Sequence, residues 1–287
     1  MNKVFSHFKK ISASVLVIAC VSCGSNKEEE NATSAPLDTV KGVAPAAQDT
    51  NTAAQNFFCS LPSPLVMARV FKRTGLKYEE GVANSPDNVS KYNTNQSKTL
   101  NLGVYCSDLA YTILNKQSQQ ATKYMEAVKK LSDDLGMSAL FSTDNFLNRF
   151  KNNLDHEDSL VYIVAQLKCD MDVFMRDNSK EKQTLIIFVG AWVENMYIAT
   201  QLTKEANKDK IAMRIAEQKS VLNNMMNVIT TFQNDSEFKG IYLKLGELKA
   251  LFDKLTVQGE NETIVMDELQ LKAITEKTRD LRKEIVG

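Results

Sequence analysis

Two carboxyl groups lie in apolar stretches of the sequence, where a charged side chain needs a partner. Asp108 lies in the stretch 102–111, and Glu194 lies in the run 184–202. A buried carboxyl group must be hydrogen-bonded or paired, or else it takes up a proton. Three tyrosines lie within one helical turn of one acid or the other, namely Tyr105, Tyr111 and Tyr197. We expect these five side chains to form a satisfied network in the core, with a shared polar pocket as the alternative.

The rest of the sequence offers few groups for catalysis or metal binding. His7 and His156 are the only histidines, and the acidic neighbours of His156 are typical of the first turn of a helix. There is no histidine pair for zinc, no nucleotide-binding glycine motif and no Cys-x-x-Cys pair beyond the N-terminal segment. We therefore predict no enzyme activity, no catalytic residue, no metal and no cofactor. A carboxylate-based hydrolase is the least favoured alternative, because it needs two carboxyl groups about 5–10 Å apart across an open cleft.

Cysteines are few beyond the N-terminal segment. They are Cys59, Cys106 and Cys169, an odd number at wide spacing. A disulfide framework is not expected, although a single bridge is permitted in an oxidising compartment. Cys106 and Cys169 have apolar neighbours, so we expect both to be small core hydrophobes.

Residues 75–94 lack helical periodicity and contain two tyrosines, Tyr78 and Tyr92. Long irregular segments inside a domain are often functional, and tyrosine combines a large contact area with a polar tip. The segment is therefore a candidate binding loop. The alternative, which we favour, is that both rings fold back and cover helix ends.

The first thirty residues have the pattern of an export signal. Lys3, Lys9 and Lys10 precede an apolar run of about 11 residues, well short of the roughly 20 that a membrane-spanning helix needs. The run ends at two cysteines, Cys20 and Cys23, and a lysine with three glutamates follows at 27–30.

This pattern resembles the bacterial lipoprotein signal, and the lysine-acidic tract resembles the surface-export tract of Bacteroidota lipoproteins. A solvated charge run is the other interpretation of that tract. Both Val-Ile-Ala-Cys20 and Cys20-Val-Ser-Cys23 fit the signal. We favour Cys23 as the lipidated residue, because that cut leaves the whole apolar run in the signal. The resemblance implies acyl chains such as palmitate, and a lipid-anchored, surface-exposed place on the outer membrane. A periplasm-facing orientation is the alternative.

The predicted organisation has three parts. Residues 1–22 form a lipoprotein signal peptide, 23–56 a flexible membrane-proximal stalk, and 57–287 a single helical domain. Loss of the three lysines in residues 1–22 leaves 35 − 3 = 32 basic residues against 35 acidic ones. The resulting net charge of about −3 disfavours nucleic acid as a partner. The expected attachments are therefore a membrane, through the lipid, and a protein partner in the cell envelope.

The fold class predicted is all-α, with six to eight helices in a largely antiparallel bundle. No proline follows Pro86, and apolar residues recur at three- and four-residue steps. One stripe, over 211–232, is interrupted by Gln218, and the last stripe consists of Leu271, Ile274, Leu281 and Ile285. The run 184–202 is apolar on nearly every face, as in the central helix of a bundle, and Gly190 would permit a close helix approach.

The domain resembles uncharacterised helical lipoproteins of Bacteroidota, a resemblance that implies no activity. We expect a helical binding or scaffold module. The alternative is a receptor with a small-ligand pocket in the helical core, and its candidate lining residues are Met175, Met196, Met213 and Met225.

Overall fold

The all-α prediction is confirmed along the described part of the chain. The computed structural model describes residues 62–142, 146–258 and 263–287, which all belong to one compact unit. The predicted signal peptide 1–22, the stalk 23–56 and the lipidation site Cys23 lie outside the described residues. No helix in the described ranges has the length and hydropathy required to cross a membrane.

Ten α-helices are present in the described ranges, more than the six to eight predicted. They are α1 (Pro64–Lys72), α2 (Asn95–Leu114), α3 (Ser118–Asp134), α4 (Phe146–Asn152), α5 (Glu157–Asp177), α6 (Glu181–Gln201), α7 (Lys208–Ala216), α8 (Gln218–Ile229), α9 (Ser236–Asp253) and α10 (Glu268–Val286). Short 3₁₀ helices cover Pro86–Lys91, Ser138–Phe141 and Thr230–Phe232. A small antiparallel pair, β1 (Thr256–Gln258) with β2 (Thr263–Val265), was not predicted from the sequence.

Helix α6 is the central element, as the sequence predicts. It packs against α1, α2, α5, α7, α8 and α10, and its buried residues point in every direction around the helix axis. Its closest neighbour is α2. A Cβ atom on Gly190 of α6 would come within 2.0 Å of the Leu100 carbonyl oxygen, and one on Gly103 of α2 within 1.9 Å of the Ile187 oxygen. The two backbones therefore meet at a contact that only glycine permits.

The predicted stripe over 211–232 divides into two helices. Helix α7 ends at Ala216 and α8 begins at Gln218. Gln218, the polar interruption of the stripe, accepts a hydrogen bond of 3.1 Å from Nε1–H of Trp192. Trp192 is fully buried in α6, so Gln218 satisfies an indole donor that would otherwise be unpaired in the core.

Of the two cysteines in the described body, only Cys169 differs from the prediction. Cys106 is half-buried and packs against the core, whereas Cys169 is exposed. Cys169 is therefore not a core residue, because its position on α5 faces solvent rather than a neighbouring helix.

Candidate functional site

Asp108 and Glu194 are brought together by the crossing of α2 and α6. Each lies about one turn beyond the glycine of its helix at the close contact, since one turn takes 3.6 residues. Both residues are completely buried. The structure therefore places the two acids, from separate apolar helices, beside each other in the core.

Arg282 of α10, which was not among the candidate residues, supplies the positive charge. Its Nε–H donates to Oε2 of Glu194 at 3.0 Å, and its Nη2–H donates to Oε1 at 3.1 Å. This two-fold arrangement is the strongest geometry for an arginine and a carboxylate. The Arg282 side chain is 14% exposed and that of Glu194 is 0% exposed, so the pair is largely removed from solvent.

A sequence signal for Arg282 does exist. Ile274 and Thr278 are fully buried, and 274, 278 and 282 are spaced at four-residue steps on one face of α10. A basic residue on a buried face, in a chain with two buried acids, is the expected partner for them.

The carboxyl group of Asp108 has a raised pKa. Burial raises the pKa of its carboxyl group well above the ordinary value, and the neighbouring Glu194 raises it further by charge and by hydrogen bonding, while Arg282 opposes both effects. The backbone N–H of Asn84 donates to Oδ2 at 3.2 Å, and Oδ1 has no hydrogen-bond partner among the described residues. We assign the proton of the carboxyl pair to Asp108, since Glu194 already accepts two bonds from Arg282.

Only one of the three predicted tyrosines joins this cluster directly. The guanidinium carbon of Arg282 lies 4.4 Å from the ring centroid of Tyr197, a cation–π contact. The hydroxyl of Tyr105 donates to the Ser85 carbonyl oxygen at 2.9 Å instead. The hydroxyl of Tyr111 accepts from the Glu79 N–H at 2.8 Å, and burial raises the pKa of Tyr111 to about 12.

Both candidate binding-loop tyrosines fold onto the body. Tyr78 stacks on Tyr111 with the ring centroids 5.3 Å apart. Tyr92 is only 6% exposed, and its hydroxyl accepts a bond of 2.8 Å from Nδ2 of Asn84. In this conformation Tyr92 offers no ring surface to a partner, because loop contacts hold it in the core.

The last turn of α10 is held by side chains from elsewhere in the fold. Nδ2 of Asn101 on α2 donates to the Ile285 carbonyl oxygen at 2.7 Å, and the Tyr92 hydroxyl donates to that of Val286 at 3.4 Å. Carbonyls in the last turn of a helix lack partners within it. These bonds therefore fix the helix end beside Arg282 and connect it to the 75–94 loop.

The clefts bordered by the candidate ligand-pocket methionines are small. Met175 borders an apolar cleft of about 40 Å³ and a polar one of about 210 Å³, below the roughly 300 Å³ at which ligand sites begin. Met196 and Met225 are fully buried, whereas Met213 is 40% exposed. These four side chains therefore do not line one shared pocket.

The geometry defines an all-α multi-helix protein with a closed, ion-paired polar cluster at its centre. In the described ranges, no group of three or more histidine, cysteine or acidic side chains is arranged to hold a metal ion. Comparison with protein-family models, curated proteins and solved structures gives no significant match to this chain.

Proposed function

We propose that the chain is a lipid-anchored cell-envelope lipoprotein whose helical body is a binding or scaffold module for a protein partner. The proposal of a binding or scaffold module rests on the closure of the Asp108–Glu194–Arg282 cluster. Both carboxyl groups are fully buried, so a substrate cannot approach the groups best suited to acid–base chemistry. Their role in this account is to hold α2, α6 and α10 together, and the outer surface is left to do the binding.

The anchoring part is supported by the sequence of the first thirty residues. A charged start, a short apolar run and Cys23 followed by a polar tract are the features that support a lipid on Cys23 as the new N-terminus. Each buried methylene of an acyl chain contributes roughly 0.8 kcal/mol, and more than one chain gives stable attachment. On this proposal the body is tethered to the outer membrane, facing outwards.

Crosslinking in intact cells tests the proposal. The full chain, Cys23→Ala and Asp108→Asn would each be crosslinked and the attached proteins identified by mass spectrometry. We expect a reproducible set of neighbours for the full chain, the same set for Asp108→Asn, and loss of the set for Cys23→Ala. The proposal fails if the neighbours survive loss of the anchor, or if Asp108→Asn, while correctly folded, loses them.

A further inference from the structure

The solvent-facing side of α5 has apolar side chains at positions where a surface helix ordinarily has charged ones. Tyr162 is 64% exposed and Val173 is 45% exposed, and no other helix or strand of the described ranges exposes two large apolar side chains. Cys169 is exposed between them, and Ala165 is exposed on the same side of the helix. An uncharged stripe therefore follows the outside of α5 for about three turns.

A charged residue lies at each end of this stripe. Asp158 precedes it by one turn and Arg176 follows it by one turn, and both are exposed. At 100° per residue, all six positions point within about 40° of the direction of Cys169. We call these six residues the outer face of α5, namely Asp158, Tyr162, Ala165, Cys169, Val173 and Arg176.

The outer face of α5 is nearly symmetric about Cys169. Ala165 and Val173 are each four residues from it, and Tyr162 and Arg176 are each seven residues from it. Two antiparallel copies of α5, related by a two-fold axis at Cys169, would have each residue level with the one that lies equally far on the other side. Ala165 is then level with Val173 of the second copy, a small side chain against a larger one, and Tyr162 is level with Arg176.

The charges of the outer face complement each other in this antiparallel arrangement. Arg176 lies level with Tyr162 of the second copy and one turn from its Asp158, because 158 and 162 are neighbours on one side of a helix. The guanidinium can stack on the exposed ring and pair with the carboxylate. In the described part of its own chain, the ion-pair partner of Arg176 is the adjacent Asp177, at 3.5 Å and with both side chains exposed. Such a pair contributes little, so Arg176 is available.

We propose that the outer face of α5 is a homodimer interface, at which two copies pack antiparallel with Cys169 at the two-fold axis. The occupant is a second copy because one face contains both halves of each contact, as a two-fold interface requires. Parallel packing would instead bring the two Arg176 side chains together. One helix from each copy makes a small interface, so we expect a reversible dimer with a Kd on the order of 10 µM. This pairing goes beyond the proposed function and needs no lipid anchor.

Cys169 is a native reporter for the pairing, because the two thiols face each other at the axis. The full chain would be purified in an excess of detergent micelles, and its association measured by sedimentation equilibrium. The same samples would be treated with a short bismaleimide, and the joined peptides identified by mass spectrometry. We expect a dimer whose fraction rises with protein concentration and whose crosslink joins Cys169 to Cys169.

Negative charges on the outer face should separate the copies. Tyr162→Glu/Val173→Glu should raise the Kd by about tenfold or more, because it removes the central apolar contacts and places like charges on both sides. The matched control is Val66→Glu/Leu243→Glu, which adds the same charges at positions 53% and 56% exposed on α1 and α9. It should leave the Kd and the Cys169 crosslink unchanged.

A charge exchange tests the antiparallel direction. Asp158→Arg and Arg176→Asp each place like charges opposite each other and should weaken the dimer, whereas the double variant should recover most of the affinity. A chain that stays monomeric at about 100 µM would overturn the proposal, since even small specific interfaces associate there. So would a dimer that crosslinks elsewhere than Cys169 or that tolerates Tyr162→Glu/Val173→Glu. A double variant no tighter than the single ones would overturn the antiparallel pairing.

Discussion

Arg282 of α10 forms a two-fold hydrogen-bonded ion pair with Glu194 of α6, 88 residues earlier in the chain. The pair lies beside Asp108, whose raised pKa depends on the same burial and on the charge of Glu194. Three helices from distant parts of the sequence are therefore connected through one buried cluster. Removal of one buried charge leaves its partner unpaired. The contribution of the cluster to stability can therefore be measured with single substitutions.

Loss of the guanidinium should strongly destabilise the fold. We expect Arg282→Met to lower the free energy of unfolding by about 3–5 kcal/mol, because it leaves Glu194 buried without a counter-charge. Arg279→Met is the matched control on the same helix, where the side chain is 55% exposed, and it should cost less than about 1 kcal/mol. Urea denaturation measures both changes.

Glu194→Gln in the same chain should partly restore the free energy of unfolding that Arg282→Met removes. The second substitution removes the unpaired charge, so the double variant should be more stable than the sum of the single effects predicts. Strict additivity of the two substitutions would mean that the contact between them contributes nothing.

Asp108 should make the stability of the protein depend on pH in a defined direction. Its pKa is raised in the folded state above the unfolded value of about 3.9. The folded chain therefore keeps a proton that the unfolded chain releases, and stability from this residue is present below about pH 4 and lost as the pH rises. Asp108→Asn removes that loss. In urea titrations, the free energy of unfolding of Asp108→Asn minus that of the unaltered protein should increase from pH 4 to pH 7. A difference in the free energy of unfolding that is constant with pH would contradict a raised pKa at Asp108.

The crossing of α2 and α6 should not tolerate a methyl group. Gly190→Ala places Cβ 2.0 Å from a backbone oxygen, an overlap that requires the helices to move apart, and we expect a loss of about 3 kcal/mol or more. Gly240→Ala is the control, because open space surrounds that position in α9. There the gain in helix propensity should stabilise the protein by about 0.5–1 kcal/mol. Thermal and urea unfolding of both variants distinguish steric overlap from a general effect of alanine.

Tyr92 should connect the 75–94 loop to the end of α10. Tyr92→Phe deletes the hydroxyl that Asn84 and the Val286 carbonyl share, at an expected cost of about 1 kcal/mol. Hydrogen exchange should then speed up in the last turn of α10 as well as in the loop. Tyr162→Phe provides the comparison, because that ring is 64% exposed and should leave exchange unchanged. Faster exchange confined to the loop would show that the contact to α10 carries no stability.

The helices were predictable because their apolar residues recur with a helical period, and the all-round apolar pattern of α6 identified the central helix. The burial of Asp108 and Glu194 followed from the same pattern. Arg282 was missed because its partner is remote in sequence, and its charge resembled that of the exposed faces of α10. The β1–β2 pair was missed because each strand has only three residues, too few for an alternating pattern to stand out.

The most direct test of the proposed anchored module is the intact mass of the chain extracted from membranes with detergent. We expect a mature protein that begins at Cys23 and carries the added mass of its acyl chains, and that mass should disappear with Cys23→Ser. A membrane-extracted chain that still contains residues 1–22, or one that begins at or after residue 23 without added lipid mass, would contradict it.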